Sequence, residues 1–405
     1  NQINSFIPMD LRASLGLPTT REKQGLFAHH FYRLLHHCDT LTATYSSNNE
    51  QLGPQEKSRY LLQLELELER INKNINITNK FYNVPIEKAS SENAQVIKKS
   101  ELIMGRIEKH FNRAISASSI NTYLRCPLDF YYRYIAELGE EKSIEEDIES
   151  QQFGSLIHNT LEKLFDKHAL LDSLGNENVP KPKALEESDL NQMMLDYKEL
   201  LYTEFLNYFD NESQLFLEGK NLVSYTIAQD TIENTIKKEL EFLKKQSEPF
   251  YIVQVEAKKE ISLDVLVSGQ KKTIHFKGYI DRIDKIGDAY RVIDYKSGKV
   301  KEADVKFKLK DNDLLVSFTH CKHAVQLALY SLFFKHSFGA YPNEAIIYSL
   351  TDVSKMDHKL SYANHNLTDI CELFETFIEE VLNEIFDESS SVEHNEKSKY
   401  CNYCQ

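Results

Sequence analysis

Two short segments decide the reading of this chain: Gly278-Tyr279-Ile280-Asp281-Arg282-Ile283-Asp284 and, shortly after it, Val292-Ile293-Asp294-Tyr295-Lys296-Ser297-Gly298. Both read as strands, and Gly287-Asp288 between them is turn-forming, so the pair is expected to form a hairpin. Asp281 would end one strand and Asp294 would lie on the next. Asp294 and Lys296 are two residues apart and therefore point to one face of the sheet. Two carboxylates and one lysine can thus converge at one end of a sheet.

Hydrolysis of a phosphodiester needs such a set. Hard divalent cations take oxygen ligands, typically one or two carboxylates with waters and substrate phosphate. The cation polarises the phosphoryl oxygen and lowers the pKa of a bound water. A lysine beside it can hold the attacking water or offset charge that develops in the transition state. Spacing alone leaves this reading level with a plainer one, a surface ladder of cross-strand ion pairs.

Two outlying motifs separate the readings. Phe153-Gly154-Ser155-Leu156-Ile157-His158 opens a helix, which places His158 on its first turns. Gln326-Leu327-Ala328-Leu329-Tyr330 sets an amide and a phenol at i and i+4 on one helical face. Taken alone, His158 reads as a satisfied polar residue and the Gln326–Tyr330 pair as packing.

In this order, the pieces resemble the RecB-like branch of the PD-(D/E)XK nucleases. That pattern runs Gly-x-x-x-His on a helix, Gly-x-Ile-Asp-Arg-Ile-Asp and Ile-Asp-Tyr-Lys-x-Gly on strands, then Gln-x-x-x-Tyr. The resemblance implies that His158, Asp281 and Asp294 ligate Mg²⁺ or Mn²⁺, with the carbonyl of Tyr295 as a further ligand. It implies that Lys296 is the catalytic lysine and that Gln326 and Tyr330 support it. Glu256, on the first strand of the core, is a weaker candidate, because its charged neighbours suit solvent exposure equally well.

Outward from this centre the chain is expected to be α/β, with a mixed central sheet of about five strands of the restriction-endonuclease-like type flanked by helices. Strands are read at 251–258, 261–267, 273–283, 290–295 and 345–350, and helices at 120–134, 153–168, 324–336 and 367–386. Residues 189–246 read as a large helical insertion, and 172–188 as a loop. The expected division is 1–80 as a smaller αβ segment, 81–117 as a linker and 118–405 as the nuclease domain. In the first segment 27–37 reads as a helix, 41–45 as a short strand and 59–70 as an amphipathic helix.

The cysteines divide in two. Cys38, Cys321 and Cys371 sit in apolar helical patterns and read as buried thiols. Cys126, in Leu124-Arg125-Cys126-Pro127, precedes the core, and Cys401-Asn402-Tyr403-Cys404 follows it. Thiolates at this spacing ligate zinc or an iron–sulfur cluster. The placement resembles the iron–sulfur staple of AddB-type subunits, which implies a 4Fe–4S cluster on Cys126, Cys401 and Cys404, with a fourth ligand expected downstream in a longer parent chain.

Residues Phe6–Arg12, His30–Arg33 and Ser58–Leu62 are similar to the closing segment of the helicase-like domain of AddB-type proteins. Leu35-His36-His37 stands where superfamily 1 motors carry an arginine finger, and no Gly-x-x-x-x-Gly-Lys-Ser/Thr loop occurs. The segment is expected to be a remnant of an inactive helicase. The resemblance then implies an exonuclease on single-stranded DNA ends, acting in double-strand break repair and recombination with a helicase–nuclease partner subunit of AddA type. The rival expectation is a structural or DNA-guiding module whose nuclease fold no longer cuts.

Composition bounds these readings. A length of 405 residues suits two or three domains, and 41% hydrophobic with 27% charged residues suits a soluble globular chain. No apolar run is long enough to span a membrane and no secretory leader is read, so a reducing cytoplasm is the expected compartment. A net charge of −14 argues against attraction to nucleic acid over the whole surface, although a local track of phosphate contacts is compatible with it. Acidic residues crowd Glu137–Glu149, while lysines gather at 296, 299, 301, 306, 308 and 310. Because the chain opens at Asn1 within a segment that reads as ordered, it is expected to be a piece of a longer protein.

Overall fold

The computed structural model describes residues 14–15, 20–36, 38, 40–44, 58–75, 77–80, 96–139, 148–177, 183–352, 355–363, 365–395, 398 and 401. The chain divides into two compact units, Asn1–Glu87 and Lys88–Gln405. In the first, α1 (Thr20–Leu35) is followed by α2 (Arg59–Gln63), a π-helical turn Leu64–Leu68 and α3 (Glu69–Ile71). Phe31 stacks on Tyr60 with ring centroids 5.2 Å apart, and the Tyr32 hydroxyl donates to Gln63 Oε1 at 2.7 Å. The strand expected at 41–45 does not form over 41–44, which pair with nothing. The segment Phe6–Arg12 lies outside the described residues.

The second unit begins with β1 (Ile97–Lys98), α4 (Glu101–Phe111), α5 (Ala117–Arg125) and α6 (Pro127–Phe130). Helix α4 falls where the sequence reading placed a linker. Its charged flanks mask an apolar stripe, Ile103, Met104, Ile107 and Phe111, that packs into the core. The single helix expected at 120–134 is broken at Cys126, which is extended at φ −161° and ψ 112° ahead of Pro127. Proline disfavours helical backbone in the residue before it and suits the first position of the next helix.

Next come α7 (Ser150–Asp166) and the insertion, α8 (Glu187–Tyr208), α9 (Gln214–Leu217) and α10 (Gly219–Leu243). The sheet follows: β2 (Phe250–Val267), β3 (Gln270–Ile286) and β4 (Ala289–Lys296), then α11 (Leu314–His320), α12 (Ala324–Phe338), β5 (Glu344–Ser349) and β6 (Asp357–Lys359). Helix α13 (Leu367–Phe386) and β7 (Ser391–Val392) close the described unit, with β7 antiparallel to β1. The order in the main sheet is β2-β3-β4-β5-β6, antiparallel except for the parallel β4–β5 pair. This is the five-stranded mixed sheet anticipated, although β2 runs unbroken where two strands were read.

Two cores cover the faces of the sheet. One gathers Phe276, Val292, Ile347, Phe333 and Phe374 against α4, α5 and α11–α13. The other gathers Phe165, Leu201, Ile236, Ile293, Tyr295 and Tyr348 against α7, α8 and α10. Helix α12 is buried almost all round, as its unbroken apolar sequence demands.

Candidate active site

The sheet assembles a row of carboxylates. Val255 pairs with Arg282 and Ala257 with Ile280, so Glu256 faces Asp281; Arg282 pairs with Ile293, which sets Asp281 opposite Asp294. Glu256 has φ +45°, a left-handed backbone inside a strand. Such a non-glycine residue costs about 1–3 kcal/mol and persists only where its surroundings dictate it. Its effect is visible in the packing: Val255 belongs to one core and Ala257, two residues on, to the other. Strand β2 changes face at Glu256, directly beside Asp281.

Helices supply the rest. One oxygen each from Asp281 and Glu256 and one nitrogen of His158 lie within 4.8 Å of one another. His158 Nδ1 stands 3.5 Å from Asp281 Oδ2, and that same oxygen accepts the Tyr295 backbone N–H at 2.6 Å. Asp294 is held differently: Lys296 Nζ lies 2.7 Å from Oδ2, and Gln326 Nε2 donates to Oδ1 at 2.7 Å. Gln326 also donates to the Tyr330 hydroxyl at 2.9 Å. The structure therefore brings together His158, Asp281, Asp294, Lys296, Gln326 and Tyr330. It also draws in Glu256, whose charged neighbours had pointed equally to solvent. Tyr295 takes part through its backbone, while its ring packs in the core with Tyr348.

Glycine permits the close approach of α7. A Cβ on Gly154 would meet Ser297 Oγ at 2.8 Å, so a larger residue would push the helix that carries His158 away from the segment that follows Lys296. Gly278 has the same role at α12, where a Cβ would meet the Phe333 ring at 2.8 Å.

Electrostatics follow from burial. Asp281 is pushed up to about 6 by burial, against the pull of the Tyr295 N–H and Lys296. Asp294 is pushed up to about 7 by burial and by the charge of Asp281, and Glu256 to about 8 by burial and then Asp281. Burial lowers His158, leaving its imidazole neutral as metal ligation requires. Three carboxylates crowd one lysine, and two of them with the imidazole converge. That donor set fits a hard divalent cation with an admixture of nitrogen.

A model of the PD-(D/E)XK nuclease superfamily matches residues 114–405. The chain belongs to the PD-(D/E)XK nuclease superfamily. Its five-stranded mixed sheet flanked by helices is consistent with that fold, and membership implies nuclease activity; nucleases of this superfamily generally work with Mg²⁺ or Mn²⁺. Among solved structures, that of SSO0001 is similar at 14% identity over 68% of this chain and 83% of that one, with a TM-score of 0.25. That likeness is too distant to carry anything further.

Behind the carboxylates of this PD-(D/E)XK unit lies a charge network that the sequence reading did not find. Arg282 is fully buried; its Nε lies 2.9 Å from Asp284 Oδ1, its Nη2 2.8 Å from Glu239 Oε1, and its Nη1 donates to the Tyr295 hydroxyl at 2.8 Å. Arg291 Nη2 meets Asp284 Oδ2 at 2.6 Å. Two guanidiniums face two carboxylates, and the Arg282 guanidinium also stacks over Phe165, 4.7 Å from its centroid. Both ends of Tyr295 are therefore fixed, and through its N–H so is Asp281. The Gly-x-Ile-Asp-Arg-Ile-Asp segment holds two members of this network; Glu239, far upstream on α10, carried no local signal.

Cys126 and Cys401 also come together. Both are buried, and Cys126 Sγ lies 3.3 Å from His394 Nδ1. Cys126, His394 and Cys401 present ligand atoms within 4.8 Å of one another. Burial would raise the Cys126 thiol, but hydrogen bonds from Asn395, Asp129, His394 and Cys401 outweigh it and bring it below the usual range. Cys404 lies outside the described residues. Cys321 and Cys371 are buried in cores, as expected, whereas Cys38 is exposed. Among the described residues no helix is long and apolar enough to cross a membrane.

Proposed function

We propose that this nuclease hydrolyses the phosphodiester bonds of DNA, as an exonuclease on single-stranded ends, with Mg²⁺ or Mn²⁺ bound by His158, Asp281, Asp294 and the Tyr295 carbonyl. The observation that carries the reading is the convergence of Asp281, Asp294 and Lys296 with His158 at one end of the sheet. Glu256, in the same row, is a further candidate ligand. The cation would supply Lewis acidity and a water of lowered pKa. Lys296, fixed by Asp294, is placed to hold the attacking water or to meet charge on the phosphate. Gln326 fixes the other oxygen of Asp294, and Tyr330 fixes Gln326.

The resemblance to AddB-type subunits supports a place in double-strand break repair by recombination, beside a helicase–nuclease partner of AddA type. Residues 1–80 would then be the end of an inactive helicase fold. In that setting Cys126, Cys401 and Cys404 would hold a 4Fe–4S cluster that ties the two ends of the nuclease domain together. The meeting of Cys126 with Cys401 supports such a staple, and anaerobic reconstitution with iron and sulfide tests it. Wild type should gain cluster absorbance that Cys126→Ala lacks; equal iron uptake by both would remove the idea.

The test of activity is digestion of end-labelled single-stranded DNA with Mg²⁺, Mn²⁺ or EDTA, beside circular single strands and RNA. Cleavage from ends that needs metal and disappears in Lys296→Ala is expected. Cutting of circles would replace the exonuclease reading with an endonuclease. Binding without cleavage would favour the DNA-guiding role.

A further inference from the structure

We infer that the segment leaving the active-site strand, residues 299–310, which makes a 3-10 turn at Glu302–Asp304 and then runs extended, is a phosphate track that delivers one nucleic-acid strand to Lys296. The inference rests on the nuclease reading above and adds the path its substrate takes. Residues 305–310 alternate in burial: Val305 and Phe307 lie in the core, while Lys306 and Lys308 face solvent. Lys310 follows on the same face, half-buried. Alternate residues of an extended chain repeat every ~6.6 Å, so Lys306, Lys308 and Lys310 set their charges along one line.

The segment is firmly seated. Phe307 N–H donates to Ser361 O at 2.8 Å, Ser361 N–H to Val305 O at 3.1 Å, and the Phe307 ring packs on Phe318, 4.7 Å between centroids. His323 N–H donates to Asp304 O at 3.0 Å, which ties the segment to the start of α12, the helix of Gln326. At its other end it continues directly from Lys296. The track is therefore joined to both elements that hold Asp294.

Its charges are available. Among the described residues Lys299, Lys301, Lys308, Lys310 and Lys322 have no ion-pair partner; only Lys306 is engaged, with Glu302 at 2.7 Å. The acids of this stretch are otherwise occupied: Glu302 also meets Lys355, Asp304 accepts the Lys301 N–H, and Asp313 caps α11. Asp311 is the remaining carboxylate, at a left-handed turn. In a chain of net charge −14, the four lysines of this segment that have no ion-pair partner among the described residues stand out as a local attraction for a polyanion. A single row of cations matches one phosphate backbone, which favours a single strand over a duplex.

The experiment compares Lys299→Gln/Lys308→Gln/Lys310→Gln with a charge-matched control, Lys109→Gln/Lys198→Gln/Lys245→Gln. Fluorescence anisotropy with labelled oligothymidylate in EDTA, across a salt series, reads binding without cleavage. Each single-strand phosphate contact contributes about 0.7 to the slope of log K against log salt. The track variant should therefore lose about 2 from the slope, and the control should match wild type. An unchanged slope in the track variant, or an equal loss in the control, would overturn the track. Equal affinity of wild type for a duplex would overturn the single-strand assignment. Hydrolysis of thymidine 5′-(p-nitrophenyl phosphate), too short to reach the track, should be the same in wild type and track variant. Its absence in wild type would instead strike the active-site reading, leaving the binding result to decide the track alone.

Discussion

Gly154→Ala isolates how closely α7 must approach the catalytic strand. The added Cβ would sit 2.8 Å from Ser297 Oγ, where ordinary contact begins at 3.4 Å, so with the Ser297 rotamer kept the two elements must part by roughly 0.6 Å. A misplacement of about 1 Å at a reacting centre can cost ~100-fold, and on that scale this shift costs roughly 10-fold in kcat. The same change puts alanine for glycine inside a helix, which favours helix by about 1 kcal/mol. The variant should therefore be slower without being greatly less stable. Ser297→Ala removes the obstructing Oγ and leaves the nearest Ser297 atom, its Cβ, at 3.7 Å, within ordinary contact. The double variant should recover wild-type kcat and unfold at higher denaturant, by about 1 kcal/mol. Kinetics on single-stranded DNA with Mg²⁺, beside urea titration of all four proteins, reads both quantities. Full activity in Gly154→Ala, or a double variant as slow as the single, would refute the argument; so would loss of activity in Ser297→Ala alone.

Other consequences are as direct. Lys296→Ala should lower kcat by about 10²–10³ with little change in stability, since the lysine is partly exposed and its loss removes one stabiliser of developing charge. Arg282→Met should destabilise the nuclease unit by about 3–5 kcal/mol in urea unfolding, because Asp284 and Glu239 would be left with one guanidinium between them; a loss below 1 kcal/mol would contradict the network. Asp281, Asp294 and Glu256 have folded pKa values of about 6, 7 and 8, above their ordinary carboxylate values. These three groups bind more protons folded than unfolded, so metal-free stability measured relative to Asp281→Asn/Asp294→Asn/Glu256→Gln should fall as pH rises from about 4 to 8. Mg²⁺ should raise the melting temperature more at pH 8 than at pH 6, and a flat metal-free difference between the two proteins would contradict the sign.

The convergence of the candidate site residues was legible because they sit in short local patterns. Asp294 and Lys296 share a face by the two-residue period of a strand, and Gln326 and Tyr330 share one by helical spacing. Features that depend on distant partners were not. Glu256 was only a weaker candidate, since Lys258, Lys259 and Glu260 suit solvent exposure equally well and nothing local announces a left-handed residue within a strand. His394, which meets Cys126, follows β7 where that strand pairs with β1, and neither short strand has a pattern of its own. Helix α4 was hidden by Lys109 and His110 in its last turn and by the polar stretch before it. Cys126-Pro127, read as part of one helix, is a break because proline restrains the residue before it.

The Arg282 network bears on any attempt to pare this unit to a minimal nuclease. Helices α8–α10 look detachable, an insertion between α7 and the sheet, yet among the described residues Glu239 is one of two carboxylates that neutralise the guanidiniums beneath Tyr295. A truncated version starting at β2 would keep every candidate catalytic side chain of the sheet and of α12. It would still leave two buried cations facing Asp284 alone, under the tyrosine whose backbone holds Asp281. Trimming or transplanting this domain therefore requires either carrying α10 along or replacing Arg282 and Arg291 together with neutral side chains of similar volume.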